Sequence, residues 1–309
     1  MRHLSKLNNK LPKLSPDETV YQFVFEAIGT HWIIDIYDSV VATQQSQLEE
    51  KIQARIALFD ISYSRFREDS LVATIAQSAG NYDLPEDGVE LFGFYKKLYD
   101  LSDGLVTPVI GQLLEDAGYD ANYSLTPKTL RAVPSWDDTL QIAGRSLTTK
   151  RVVTLDFGAA GKGYLVDIIG RLLEAQDCKA YCINAGGDIR FRHPTKSLAV
   201  GLEHPDDPSL AIGVVNIHNQ SICASASNRR AWRDLHHIMH PQALSSVDTV
   251  KATWVVAPTT IVADGIATLL FFMSPKDILG LGSFEYALIE NDNSQLQTIY
   301  SDFFKGQLF

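Results

Sequence analysis

The sequence predicts one large α+β unit, built from mixed, largely antiparallel sheets with helices packed on them. Three observations carry this expectation. The chain opens on a hairpin pattern and closes on a strand pair, helical and strand periodicities alternate between them, and no repeat or long linker divides the 309 residues. That length gives a prior of about two domains, with one large domain also allowed. It is enough to bury a core without disulfides or a structural metal. Hydrophobic residues make up 45% and charged residues 21%, a globular balance that excludes disorder and low-complexity arrays.

The elements follow in order. Tyr21–Glu26 and His31–Tyr37 alternate as two strands around a turn at Gly29. Leu48, Ile52, Ile56 and Phe59 recur at helical spacing and predict a helix over 44–59. A second helix spans Gly88–Ser102 and is stopped by Asp103-Gly104. Residues 119–150 are rich in Pro, Ser, Thr and Asp and read as a surface excursion with short elements. A strand at Arg151–Phe157, a helix at Lys162–Ala175 and a strand at Ala180–Asn184 come next. Strands at Ala199–Glu203, Ala211–His218 and Lys251–Ala257 precede a helix from about Thr260 to Met273. Tyr286–Glu290 and Leu296–Tyr300 close the chain as a strand pair.

The net charge is −10, from 37 acidic and 27 basic residues. Such a chain lacks the positive field that broad nucleic-acid or anionic-membrane binding needs, and a small anionic ligand would require local compensation. No apolar run reaches the roughly 18 residues of a membrane span. Residues 1–13 hold Arg2, Lys6, Lys10 and Lys13 and no acid, so they read as a basic flexible tail ahead of the unit at 14–309. No apolar run or lipobox-like cysteine follows that charge, so it is not a secretion signal and the expected location is cytoplasmic. Cys178, Cys182 and Cys223 form no metal-ligand pattern. They read as small buried apolar residues of a reducing compartment.

Four segments carry chemistry. Leu155-Asp156-Phe157-Gly158-Ala159-Ala160-Gly161-Lys162-Gly163-Tyr164 is a small-residue turn between a strand and a helix. Its main-chain N–H groups could meet an anion at the helix terminus, with Lys162 as a point charge for phosphate; tight packing with an exposed lysine explains it equally. It matches neither a Walker loop nor G-x-G-x-x-G. Asn184-Ala185-Gly186-Gly187-Asp188 leaves the next strand as a capped turn or as a backbone floor for a ring or phosphate. In Ala263-Asp264-Gly265-Ile266-Ala267-Thr268, Asp264 and Thr268 share a helix face one turn apart. A carboxylate among such apolar neighbours is costly unless paired or bound to a cation. A carboxylate, a hydroxyl and a carbonyl make an incomplete oxygen shell for Mg²⁺ or Ca²⁺; a helix cap or a salt bridge is the alternative. In His236-His237-Ile238-Met239-His240-Pro241, one histidine serves as proton acceptor or ligand contact, or all lie in a surface loop. Upstream, Ser225 to Arg230 offers hydroxyls and two guanidiniums to a phosphate, or forms a solvated turn.

Taken in order, Ala27-Ile28-Gly29-Thr30, Phe66-Arg67-Glu68-Asp69-Ser70, Asp103-Gly104 … Gly111, the Leu155–Tyr164 turn with Asp167, Asn184–Asp188, His237 … Pro241, and Ala257-Pro258-Thr259 … Asp264 … Thr268 resemble the ApbE family over about residues 20–300. The resemblance implies an ApbE/T-fold-like architecture and an FAD:protein FMN transferase. In that reaction FAD, with Mg²⁺, gives its FMN moiety to a Thr or Ser hydroxyl of an acceptor flavoprotein, and AMP leaves. By similarity the metal ligands are Asp264, Thr268 and the Ala159 carbonyl. Asp156 and Lys162 contact FAD, while Ile28, Phe66, Leu105, Val106, Thr107 and Ile238 line its pocket, with Gly186 and Gly187 as a floor. His237 is the candidate base for the hydroxyl proton. Thr107 stands where the family usually has Asp, Phe66 where it has Tyr, Ala226 where it has Gly and His240 where it has Asp. These departures motivate the alternative of an FAD-binding or FAD-hydrolysing protein without protein transferase activity. No flavinylation-type segment occurs in the chain, so self-modification has no support.

Overall fold

The computed structural model describes residues 21–39, 41–292, 295–301, 304 and 306–309; the expected basic tail lies outside them. Strands β1 (Tyr21–Ala27) and β2 (Thr30–Ile36) form the anticipated hairpin, with Phe23 opposite Ile34. Ile28 and Gly29 make the turn at positive φ, 45° and 73°, where glycine is at ease and isoleucine is strained. Helix α1 (Ala42–Tyr63) buries Leu48, Ile52, Ile56, Phe59 and Tyr63, the predicted stripe extended by one turn. Helix α2 (Leu71–Ile75) starts where the Ala73 N–H donates to the Ser70 hydroxyl at 2.9 Å. After β3 (Gly80–Asp83), α3 (Gly88–Leu101) ends where Asp103 and Gly104 turn to positive φ and the Gly104 N–H donates to the Tyr99 carbonyl.

Helix α4 (Gly111–Asp116) follows a 3₁₀ turn at Pro108–Ile110. The excursion contains a hairpin, β4 (Leu140–Ala143) and β5 (Ser146–Thr149), which joins β3 in a small sheet of order β3-β5-β4. Helix α5 (Gly161–Ala175) leads to β6 (Tyr181–Ala185) and β7 (Asp188–Arg192), joined by the Gly186-Gly187 turn. Then come β8 (Leu198–His204), β9 (Asp207–Ile217) and β10 (Ser221–Ala226). The two-residue strands β11 (Ala231–Trp232), β12 (Leu235–His236), β13 (Met239–His240) and β14 (Ser245–Ser246) follow. Strand β15 (Val250–Ala257), helix α6 (Thr260–Leu269), β16 (Glu285–Asp292), β17 (Gln295–Tyr300) and β18 (Gly306–Leu308) complete the order.

The main sheet runs β1-β2-β6-β7-β10-β15-β16-β17, and each neighbouring pair is antiparallel. Alternation along β15 sets the layers. Val255 joins the core shared with α1, α3, α5 and α6, whereas Trp254 and Val256 join the core shared with β8 and β9. Helices therefore cover one face, and the three-stranded sheet β18-β9-β8 covers part of the other. The three cysteines are free and buried, as expected. No described helix is long and apolar enough to cross a membrane.

Two expectations need correction, and one strand was not anticipated. Arg151–Phe157 is not a strand: the 3₁₀ turn and α4 occupy the flank where a ladder partner would lie. The Asp156 N–H donates to the Pro108 carbonyl at 2.8 Å, and a Cβ on Gly111 would sit 2.5 Å from the Thr154 carbonyl oxygen. Helix α6 stops at Leu269, and Phe272 closes back on the Leu269 carbonyl before Met273. Strand β10 lies in Ser-Ile-Cys-Ala-Ser-Ala, whose small residues carry little alternation and whose partners are distant in sequence.

Candidate active site

The site is assembled on the crossing of α5 and α6. Gly163 makes the crossing close: a Cβ there would lie 2.5 Å from the Thr260 carbonyl oxygen and 2.7 Å from Asp264 Cβ. The Gly163 N–H, in the first turn of α5, donates to Asp264 Oδ2 at 2.8 Å. In return Asp167 of α5 accepts the Thr260 and Ile261 N–H groups that open α6, at 3.0 and 2.8 Å, and pairs with Arg190 at 2.7 Å. Each helix terminus thus meets a carboxylate that complements its dipole. The preceding turn is pinned by Tyr95, whose hydroxyl accepts the Ala160 N–H at 3.0 Å, and by Asp156, which accepts the Gly158 N–H at 2.7 Å. One turn beyond Asp264, the Thr268 hydroxyl donates to the Ala159 carbonyl at 3.1 Å. Ala159, Asp264 and Thr268, separated by up to 109 residues in sequence, are therefore gathered at the amino end of α5.

Lys162 is not the free lysine of a phosphate loop. Its ammonium pairs with the Asp188 carboxylate and lies 3.3 Å from the Ala185 carbonyl. Burial works against that charge, but Asp188 and Asp264 outweigh it and hold Lys162 above its ordinary value. Burial, and then the charge of Asp188, push the Asp264 carboxyl well above the usual carboxylate range, while Lys162 and the Gly163 N–H pull the other way. The Cys223 thiol lies with the two carboxylates, ligand atoms within 4.8 Å of one another, and burial keeps it protonated. Lys162 is the cation of that cluster. The oxygens of Thr268 and Ala159, bonded to each other, are on the same two helix ends as Asp264.

A cavity of about 580 Å³ opens beside this turn. It is lined by Ile28, Phe66, Leu105, Val106, Thr107, Asp156, Ala159, Lys162, His237, Ile238 and Thr268, so eleven of the sequence candidates share one space. Thr107 is turned to structural work, since its hydroxyl accepts the Val109 N–H at 3.4 Å and caps the 3₁₀ turn. Phe66 stacks on Tyr123, centroids 5.4 Å apart at 8°, and meets Tyr119 edge-on.

Gly186, Gly187 and Asp264 line a second cavity of about 810 Å³ instead. Gly186 has φ 59°, and a Cβ there would collide with the Thr30 hydroxyl. The two cavities share Gly29, Gly158, Lys162, Ser225, Arg230 and His237.

His237 stands at that junction. Trp232 anchors its segment by donating Nε1–H to the Ala117 carbonyl at 2.9 Å, and His236 closes on the Val247 carbonyl at 3.0 Å. Burial first, then Arg230 and His236, push the His237 pKa down to about 3. It is neutral near pH 7, and its Nδ1 is buried with no protein partner among the described residues.

Several site residues went unnoticed in the sequence. Arg65 is buried, its guanidinium 4.2 Å from the Phe66 centroid and its Nε bonded to Asp156 Oδ2 at 2.5 Å. Both of its terminal nitrogens lack a partner among the described residues. Tyr119 and Tyr123 were missed as well, and Asp188 was read as a turn cap rather than as the partner of Lys162. An arginine directly before the aromatic wall residue was the available signal for Arg65; the tyrosines sit in the segment read as a plain excursion.

The fold and this junction define a nucleotide-sized, two-cavity protein with an oxygen-donor cluster at a helix terminus. The ApbE family model matches residues 28–287, and the chain belongs to that family. It is 24% identical over 295 residues to an FAD:protein FMN transferase of Klebsiella pneumoniae (strain 342), covering 88% of this chain and 84% of that protein. It is 22% identical over 313 residues to one of Escherichia coli (strain K12), covering 92% and 88%. Among solved structures it superposes on the flavin transferase ApbE from Vibrio cholerae with a TM-score of 0.78 at 17% identity, over 93% of this chain and 99% of that one. The ApbE protein from Thermotoga maritima gives 0.78 at 21% identity over the same shares. These structural likenesses bear out the α+β, antiparallel fold class.

Proposed function

We propose that the protein is an FAD:protein FMN transferase: it moves the FMN moiety of FAD to a Thr or Ser hydroxyl of an acceptor flavoprotein and releases AMP. The observation that carries this reading is the convergence of Ala159, Asp264 and Thr268 at the amino end of α5, between two connected cavities. FAD fits the first cavity, where Phe66, Tyr119 and Ile238 offer apolar and aromatic walls and Arg65 and Arg230 supply positive charge. That local charge offsets the repulsion between a −10 chain and a pyrophosphate.

The Ala159 carbonyl, Thr268 hydroxyl and Asp264 carboxylate are the groups that would hold Mg²⁺, or Ca²⁺ in its place; when bound, the ion neutralises phosphate charge. The protein's own part is positioning. The acceptor hydroxyl oxygen forms a bond to the FMN-side phosphorus, the bridging P–O bond to AMP breaks, and AMP leaves with the electron pair. Neutral His237, with a free Nδ1, takes the hydroxyl proton. The bound anion's charge would raise the proton affinity of that imidazole above its value in the empty cleft.

Incubation with FAD, Mg²⁺ and an acceptor bearing a target threonine should add an FMN-sized mass to the acceptor and release AMP. AMP without adduct would favour the FAD-hydrolysing alternative. Neither product, across several acceptors, would overturn the reading.

A further inference from the structure

The second cavity has a wall built for main-chain pairing. Strand β10 pairs along its whole length with β15, Ser221 to Ala226 against Ala257 to Ala252. On its other edge it meets β7 only at Ser221 and Ile222, because β7 ends at the Gly186-Gly187 turn. Main-chain groups alternate sides along a strand. Gln220 bonds Phe191 on the β7 side, whereas Ser227 bonds Lys251 on the β15 side. By that parity the N–H and C=O of Ala224 and the N–H of Ala226 point away from β15 and have no strand partner among the described residues. The Ala226 carbonyl is taken by the Arg229 N–H at 3.4 Å, which ends the open stretch. Ala224 is exposed although it sits on an inner strand of the eight-stranded sheet.

The opposite wall is also an edge. Strand β8 is outermost in its sheet, and Leu198 to Gly201 line the same cavity. Ile189, Ile222 and Trp254 give it an apolar floor, and the Arg229–Glu203 ion pair, at 2.6 Å, is part of its lining. At the near end stand Ser225, His237 and Arg230, shared with the first cavity. Arg230 is exposed and makes no ion pair within 4 Å among the described residues, so its guanidinium is available to an acidic segment.

We infer that this groove takes the acceptor: an extended, neutral-to-acidic segment that adds as a strand to the free edge of β10 at Ala224–Ala226. This rests on the transferase reading above. An added strand continues the line of β7, and its main-chain bonds to Ala224 supply affinity with little dependence on sequence. Cross-strand neighbours on one face lie about 5 Å apart, so a Thr or Ser flanking Ser225 brings its hydroxyl to the junction beside His237. The hydroxyl then enters from the side opposite the nucleotide cavity, as in-line displacement needs.

The test uses full-length protein and an unflavinylated, threonine-bearing apo-flavoprotein as probe. Adding the probe should slow hydrogen exchange at the Ala224 amide. Ala224→Pro removes that donor without touching the β15 ladder; it should raise the acceptor KM by about tenfold or more while FAD affinity holds. If the wild type yields no adduct, the transferase reading fails and this inference with it. If the wild type yields adduct but Ala224 exchange is unchanged and Ala224→Pro keeps its acceptor KM, the docking inference alone is overturned. Should Ala224→Pro not fold, the exchange measurement on wild type decides.

Discussion

Asp167 and Asp264 exchange places: each is carried by one helix and sits at the amino end of the other. Asp264 of α6 accepts the Gly163 N–H of α5, and Asp167 of α5 accepts the Thr260 and Ile261 N–H groups of α6. The two look alike from a distance but differ in what else they meet. Asp167 is bonded to Arg190, so its charge is matched. Asp264 feels both Lys162 and Asp188, so its one nearby cation is shared with a second carboxylate. One carboxylate has its own cation and the other shares one, and the first two predictions separate their roles.

Asp167→Ala should destabilise the fold by about 3–5 kcal/mol, because it strands the buried Arg190 and leaves the first α6 amides without an acceptor. Urea unfolding measures this. A loss below about 1 kcal/mol would mean that Arg190 finds Glu174 sufficient.

Asp264→Asn keeps an acceptor for the Gly163 N–H but removes the negative charge. Mg²⁺-dependent AMP release should fall by about 100-fold or more, with little change in the melting temperature. Mg²⁺-stimulated turnover that survives would move the ion to another set of ligands.

Gly163→Ala should cost about 1–3 kcal/mol by overpacking the helix crossing. Gly93→Ala is the matched control: its Cβ would meet nothing within 4 Å on α3, so about 0.5–1 kcal/mol of stabilisation is expected. Equal effects of the two in chemical denaturation would argue against a close crossing.

Acid should unfold the protein partly through His237. Its pKa is held near 3 in the fold against 6.5 in an open chain. Between these values the unfolded state binds the extra proton. This contribution is complete above about pH 6.5 and is lost as the pH falls toward 3. His237→Gln should flatten the slope of stability against pH in that window by up to about 1.4 kcal/mol per unit. Parallel curves for the variant and wild type would show that the imidazole is solvated.

Arg65→Lys tests the cation that the sequence did not advertise. The planar fork holds Asp156 through Nε and leaves two donors unspent, an arrangement lysine does not reproduce. FAD affinity, read from flavin fluorescence, should weaken by about tenfold. Unchanged affinity would reduce Arg65 to a prop for Asp156.

What could be read from the sequence follows from the range of the interactions involved. Asp264 and Thr268 are one helical turn apart, so local periodicity put them on one face before any fold was known. The stripe of α1 was legible for the same reason. The pairing of Lys162 with Asp188 was not, because a lysine after a glycine turn looks alike whether it faces solvent or a carboxylate on the neighbouring strand. Arg65 was hidden too, since its burial depends on Phe66, Tyr119 and Asp156, brought together only by the tertiary fold. The strand expected at Arg151–Phe157 failed on the same account: its residues have strand character, but a ladder needs a neighbour.

The crossing at Gly163 ties manufacture to performance. The amide that steadies Asp264 belongs to the contact that lets two helices meet, so a damaged crossing yields both an idle enzyme and a poorly accumulating one. A genetic screen scored on flavinylation alone would pool these two kinds of lesion. Scoring soluble yield alongside it would sort them, with substitutions at Asp264 among the idle enzymes and at Asp167 among the poorly accumulating ones.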